Sequence, residues 1–362
     1  MSARIIIIPI VSLLTSWAGL TFAQDNQTLR LQLLEVRDPG INNEVAFTML
    51  IPVGWQTAGG IEWRQNQSNL ATAHITVSSP DGQVALESFP IVPCTWTQGG
   101  VMGFPTGSNY LGNIVYPPIT DVAQYIGEAI LPQYRQGIEP KMVAREPLAK
   151  VAQSVSQAVA EAGMQKQVIA ERVRLAYQWN GRDYEEDYYV ALVFATGPML
   201  PDTTFWQANQ QYAFRAPAGQ LEKYAPLLNA MVSSVRVQPK WFAGYQYVVQ
   251  LWRQNQMQAI RNAGELSRRI AQNSDQIMRM NQEAYENRER SNDRIAHQWS
   301  ETIRGVETYH DPYADRDVEL PNDYKDVWVN PNGEYILSND VNFNPNETGD
   351  TQQWQRAPVA PE

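Results

Sequence analysis

The side chains with the chemistry for catalysis or metal binding are few. They are one cysteine, Cys94; three histidines, His74, His297 and His310; an acidic run, Glu185-Glu186-Asp187, beside Asp183; and oxygen-bearing side chains spaced through 311–317 and 340–346. Cys94 lies in the apolar stretch Phe89-Pro-Ile-Val-Pro-Cys-Thr-Trp96, with no histidine near it in sequence. A reactive thiol needs a basic partner to lower its pKa, so Cys94 reads as a buried, inert thiol. The acidic run follows the turn signal Asn180-Gly181 and reads as solvated turn surface. Asp340-Val-Asn-Phe-Asn-Pro-Asn346 has the alternation of a calcium loop. However, Pro345 stands where that loop needs glycine and Thr351 where it needs a bidentate glutamate, so an Asx-rich turn is expected. Asp311, Asp315 and Asp317 offer only a weak hard-cation set. There is no Gly-x-Ser-x-Gly, no His-Glu-x-x-His, no Cys-x-x-Cys and no Gly-x-Gly-x-x-Gly. No catalytic residue, metal ligand or cofactor is assigned.

Aromatic residues are the second source of chemistry. Eleven tryptophans and seventeen tyrosines accompany abundant Gln and Asn. Exposed rings with amide neighbours are the usual glycan platform, which makes Trp55, Trp63 and Trp96 candidate ligand contacts. The competing reading is aromatic core packing.

These residues would work outside the cytoplasm. Met1–Ala23 has a basic Arg4, an apolar run from Ile5 to Leu14, and Thr21-Phe-Ala23 before the polar Gln24. That pattern predicts a cleaved secretory signal peptide, residues 1–23, and a secreted or periplasmic protein. No later segment is apolar enough to span a bilayer, and no cysteine follows the cleavage site to carry a lipid. One cysteine also means no internal disulfide, so stability must come from burial. The formal charge is −10, and the acidic excess sits in residues 305–362. A nucleic-acid partner is not expected, because phosphate binding needs a concentrated basic surface.

The elements that would position such a site read as α+β. In residues 24–243, alternating strands are expected at Thr28–Leu34, Val45–Ile51, Gly60–Arg64, Ala71–Ser78 and Val84–Phe89, with a turn at Ser79-Pro-Asp-Gly82. Residues 90–120 read as a long Pro/Gly-rich loop. Helices are predicted at Asp121–Tyr134, capped by Asp121, and at Pro147–Ala162. Strands follow at Val168–Trp179, Tyr188–Ala195 and Phe205–Phe214, then a helix at Ala218–Ser233. Residues 244–304 contain no proline and read as one long polar helix with a thin apolar seam through Trp252, Leu266, Ile270, Ile277 and Met280. After Met280 that seam slips to Tyr285, Ile295, Trp299 and Ile303, a thinness that suits a weak coiled coil or a helix lying along the domain. Residues 305–362 hold a hairpin, Tyr324–Asn330 with Glu334–Ser338, and a polar end from about Asn346 that reads as mobile.

Phe47-Thr-Met-Leu-Ile-Pro-Val-Gly-Trp55 and Leu227-Leu-Asn-Ala-Met-Val-Ser-Ser-Val-Arg236 together resemble the Mog1/PsbP/DcrB-like α/β sandwich family. The resemblance covers residues 27–238. It implies an antiparallel sheet flanked by helices and an accessory, non-catalytic role, with no catalytic residue to carry over. Residues 244–362 resemble nothing recognised.

The expected protein is therefore an exported, non-enzymatic binding or accessory module of the cell envelope. Its partner would be an envelope protein or glycan, and 244–304 would serve for self-association. The alternative is an envelope polymer hydrolase with a site in the 90–120 loop.

Overall fold

The computed structural model describes residues 28–98, 103–158, 165–197, 200–253, 274–300, 305–349 and 351–360. Residues 1–23, expected to be a signal peptide, lie outside the described residues. The protein is a mixed α+β fold built on antiparallel sheets.

In chain order the strands begin with β1 (Thr28–Asp38), β2 (Glu44–Pro52), β3 (Gln56–Trp63), β4 (Ala71–Ser78) and β5 (Ala85–Ser88). The 90–120 segment, expected as a loop, carries three short strands: β6 (Cys94–Thr97), β7 (Asn109–Tyr110) and β8 (Asn113–Val115). A helical segment follows as α1 (Val122–Tyr125), a π-helical turn (Ile126–Ile130) and α2 (Leu131–Tyr134). The Asp121 carboxylate accepts the Gln124 N–H at 2.8 Å, as the sequence predicts for a cap. Next come β9 (Lys141–Pro147), α3 (Ala149–Ala158), β10 (Gln165–Trp179), β11 (Arg182–Gly197), β12 (Leu200–Pro217), α4 (Leu221–Ser233) and β13 (Arg236–Val237). The chain continues as α5 (Pro239–Arg253), α6 (Ser274–Ser300), β14 (Val306–Asp311), β15 (Arg316–Pro321), β16 (Asp326–Val329), β17 (Tyr335–Ser338) and β18 (Gln355–Arg356).

The large sheet runs β3-β4-β5-β12-β11-β10-β9, with β6, β7 and β8 attached beside β12. Its long hairpin turns at Asn180 and Gly181, both left-handed at φ 50 and 75, the backbone that a two-residue reversal matching strand twist requires. β11 is buried on both faces, which explains its nearly continuous apolar run. Tyr189, Ala191 and Val193 enter the main core with α3, α4 and α6. Tyr188, Val190, Leu192 and Phe194 enter a second core under α1, with Val122, Tyr125 and Ile126.

The smaller sheet runs β13-β2-β1-β17-β16-β18. The C-terminal hairpin is thus a structural part of the N-terminal sheet: Leu29 pairs with Leu337 and Leu31 with Tyr335. Two strands alone are marginal in water; pairing with β1 supplies the missing hydrogen bonds and burial. The polar C-terminal end, expected to be mobile, is also held. Trp354 is buried against Trp328 and Ile336, and Asn346 clamps it by accepting its backbone N–H at 2.9 Å and donating to its carbonyl at 3.0 Å. Hydrophobic burial of one indole outweighs the polar composition around it.

The single long helix expected over 244–304 is corrected. Phe242 of α5 and Tyr285 of α6 have ring centroids 6.0 Å apart. In one continuous helix they would be separated by about 65 Å. The two helices lie against each other; residues 254–273 between them are outside the described residues. Ile277, Ile295 and Trp299 of the expected seam are buried within the chain, whereas Met280 is exposed. A stripe too thin to hold a lone helix finds its partners inside the same molecule.

Candidate functional site

The aromatic candidates are scattered. Trp55, between β2 and β3, is half-buried and packs on the main core. Trp63, on β3, donates its indole N–H to Asp38 at 2.8 Å, and its ring lies so close over Gly40 that a Cβ there would run into it. Trp96 is half-buried on β6. No ring contact joins the three among the described residues. Cys94 is buried, and burial pushes its thiol up to about 12, the inert state expected for it.

The acidic run is corrected from solvated turn surface to buried charge. Glu186 and Asp187 lie in β11 at 0% and 1% exposure. Strand alternation sends them to opposite faces of the large sheet. Asp187 takes a two-pronged contact from its cross-strand partner Arg174, with Nε and Nη2 each at 2.7 Å. Glu186 accepts from Arg135 Nε at 3.0 Å and Nη2 at 2.5 Å, and from the hydroxyls of Tyr177 at 2.6 Å and Tyr188 at 2.8 Å. Burial alone would raise the Glu186 pKa. The Arg135 charge and hydrogen bonds outweigh that cost and hold the carboxyl below its ordinary value. Arg135 ends the α2 helix, and its Nη2 also lies 2.7 Å from Glu87. Glu87 in turn meets His74 Nε2 at 2.9 Å, and the imidazole packs edge-on to Tyr134 at 4.9 Å. This chain of charges has its partners within the protein. It ties the α2 helix to β4, β5 and β11, a positioning role.

A cavity of about 310 Å³ lies on the opposite face of the large sheet. Its floor is β4, β5 and β12, through Ala73, Ile75, Leu86 and Tyr212. Its roof is one face of α6, and Phe47 and Met49 of β2 close a side. Tyr212 stacks on Tyr189 at 5.1 Å and meets Trp299 edge-on at 5.5 Å. Tyr212 is 4% exposed, yet its hydroxyl has no hydrogen-bond partner among the described residues. Several other polar groups around the cavity have partners within the protein. The Ser88 hydroxyl accepts the Ile75 N–H, the Thr72 hydroxyl accepts the Ile91 N–H, and Gln211 turns to the other face to bond Tyr125 and Pro90. A buried hydroxyl left unpaired costs about 1–3 kcal/mol. Tyr212 thus carries an unpaired polar atom beside an aromatic-walled cavity, which makes the cavity a candidate ligand site.

A second, larger groove of about 770 Å³ runs between α6 and the β14–β15 hairpin. Two ionisable pairs line it, Arg236–Asp293 at 3.3 Å and His297–Glu319 at 3.2 Å. Among the described residues no group of three or more His, Cys, Asp or Glu side chains is arranged to hold a metal. Asp311, one of the expected cation set, instead caps the Tyr313 and Ala314 N–H groups and accepts the Tyr335 hydroxyl.

Sequence reasoning did not find the cavity. Tyr212 sits in a strand of unremarkable alternation. The only local signal was the slip of the seam on α6 toward Tyr285, Ile295 and Trp299. No family model matches the chain, and no curated protein is significantly similar to it.

Proposed function

We propose that this chain is an exported, non-enzymatic binding or accessory protein of the cell envelope, built on a Mog1/PsbP-like sandwich. In this reading its ligand is a small, largely apolar molecule held between α6 and the large sheet. The observation that carries this reading is the aromatic-walled cavity of about 310 Å³, lined by Tyr212, whose buried hydroxyl has no partner among the described residues. A volume of that order is at the lower end of the small-molecule range, about 300–1,000 Å³. Export rests on the Met1–Ala23 pattern and on a single, buried cysteine. The hydrolase alternative has less to draw on, because residues 90–120 contain no Asp, Glu, His, Lys or Arg to act as acid or base.

The test is a titration of the full chain with N-phenyl-1-naphthylamine, a neutral aromatic probe that brightens in apolar surroundings. Saturable binding near one probe per chain is expected. Ala73→Phe, which fills the floor, should abolish it while the circular dichroism stays native. Absence of saturable binding to the wild type, or equal binding to folded Ala73→Phe, would overturn the assignment.

A further inference from the structure

From the charges at this cavity we infer that its ligand is an apolar carboxylate, lying along α6 with its anionic head at Arg288. The inference rests on the ligand-binding reading above and adds the class of molecule. In a chain of net charge −10, no Asp or Glu lines the cavity, whereas two arginines do, Arg236 and Arg288. The two differ in occupation. Arg236 is committed: it contacts Asp293 at 3.3 Å and donates to the Ser233 and Val235 carbonyls, each at 2.8 Å. Arg288 holds its guanidinium carbon 5.3 Å from the Phe242 ring centroid; it feels the Glu289 charge beside it but makes no ion pair within 4 Å among the described residues. A guanidinium near a ring is held by cation–π attraction, and its forked N–H donors match the two oxygens of a carboxylate.

The roof has a direction. Arg288, Asn292, Ile295 and Trp299 occupy positions i, i+4, i+7 and i+11 of α6 and so share one face. Along about 16 Å of helix that face passes from cation, through amide, to branched aliphatic and indole. The gradient matches a molecule with a charged head and an apolar body. A cationic amphiphile would meet Arg288 with like charge, and a fully apolar ligand would leave Arg288 unused.

The experiment displaces bound N-phenyl-1-naphthylamine with decanoate, decanol or decylamine, using the full chain and its Arg288→Gln variant. Arg288 is exposed, so the variant should keep its fold, checked by circular dichroism. Decanoate should displace the probe from the wild type at about tenfold lower concentration than decylamine. Arg288→Gln should weaken decanoate about tenfold and leave decanol unchanged. If the probe binds but Arg288→Gln shifts decanoate and decanol equally, or shifts neither, the carboxylate assignment is overturned and the pocket stands. If the probe does not bind the wild type at all, the pocket reading itself has failed, and this inference with it.

Discussion

Trp241 of α5 donates its indole N–H to the Asp38 carboxylate at 2.7 Å, across 203 positions of sequence. The other oxygen of the same carboxylate accepts from Trp63 at 2.8 Å and from the Gly40 N–H at 2.7 Å. One fully buried acid thus fixes the end of β1, the edge strand β3 and the start of α5 relative to one another. Asp38→Ala strands two indole donors away from water. It should lower unfolding free energy by about 3 kcal/mol. A urea midpoint unchanged from wild type would show that the three donors find other partners.

Glu186 and Arg135 form a buried pair, and removing one partner leaves the other uncompensated. Glu186→Gln should cost about 3–5 kcal/mol. The double variant Arg135→Met, Glu186→Leu should be less destabilised than Glu186→Gln, because it removes both charges. Denaturant unfolding of the two variants compares them directly. A double variant that is the weaker of the two would mean the network does more than neutralise its own charge.

His74 carries a pH dependence. Its hydrogen bond to Glu87, with the charges of Glu87 and Glu62, outweighs burial and the Arg135 charge and raises the imidazole above its ordinary 6.5. The fold therefore favours the imidazolium. That contribution is fully present below pH 6.5 and is lost as pH rises through the raised native value. Wild type should lose more stability between pH 6 and 8.5, on the order of the titration range, than His74→Gln. Parallel profiles for the two proteins would remove His74 as the cause.

Tyr212→Phe removes a hydroxyl that has no partner. The variant should be as stable as wild type or up to about 1 kcal/mol more stable. It should still bind N-phenyl-1-naphthylamine, since the aromatic wall remains. A clear loss of stability would mean that the hydroxyl is hydrogen-bonded in solution and is not reserved for a ligand.

A chain ending at Arg304 lacks β14 to β18; it loses Tyr309, Val318 and Leu320 from the main core and leaves β1 as a bare edge of the smaller sheet. Uncovered edges and the exposed apolar face behind them favour aggregation. The truncated protein should lose its near-ultraviolet circular dichroism and precipitate. If it remains soluble and cooperatively folded, the C-terminal hairpin is an ornament of the sheet and not a member of its core.

Much of the secondary structure was legible locally. β4 spans Ala71–Ser78, the segment whose alternation marked it, and Asn180-Gly181 makes the reversal its residue types demand. These features depend on neighbours a few residues apart, which is all that periodicity and turn chemistry can report. β9 was hidden because Pro147 signalled the start of a helix, when it is the last residue of an edge strand where its missing N–H costs nothing. The burial of Glu186 and Asp187 was hidden for a different reason. Acid side chains are affordable inside only where Arg135 and Arg174 reach them, and Arg135 is 51 residues away.

The sequence by itself determined the α+β composition, the strands of the long hairpin, the Asp121 cap and the inert setting of Cys94, because each follows from short-range pattern or from burial of an apolar run. Only the tertiary structure decided the rest. It packed α6 against α5, inserted β17 beside β1 and joined Asp38 to Trp63 and Trp241. It also placed Tyr212, Arg288 and Trp299 around one cavity. Each of these is a contact between residues many positions apart, and its energy depends on what burial removes from water, which no local pattern encodes.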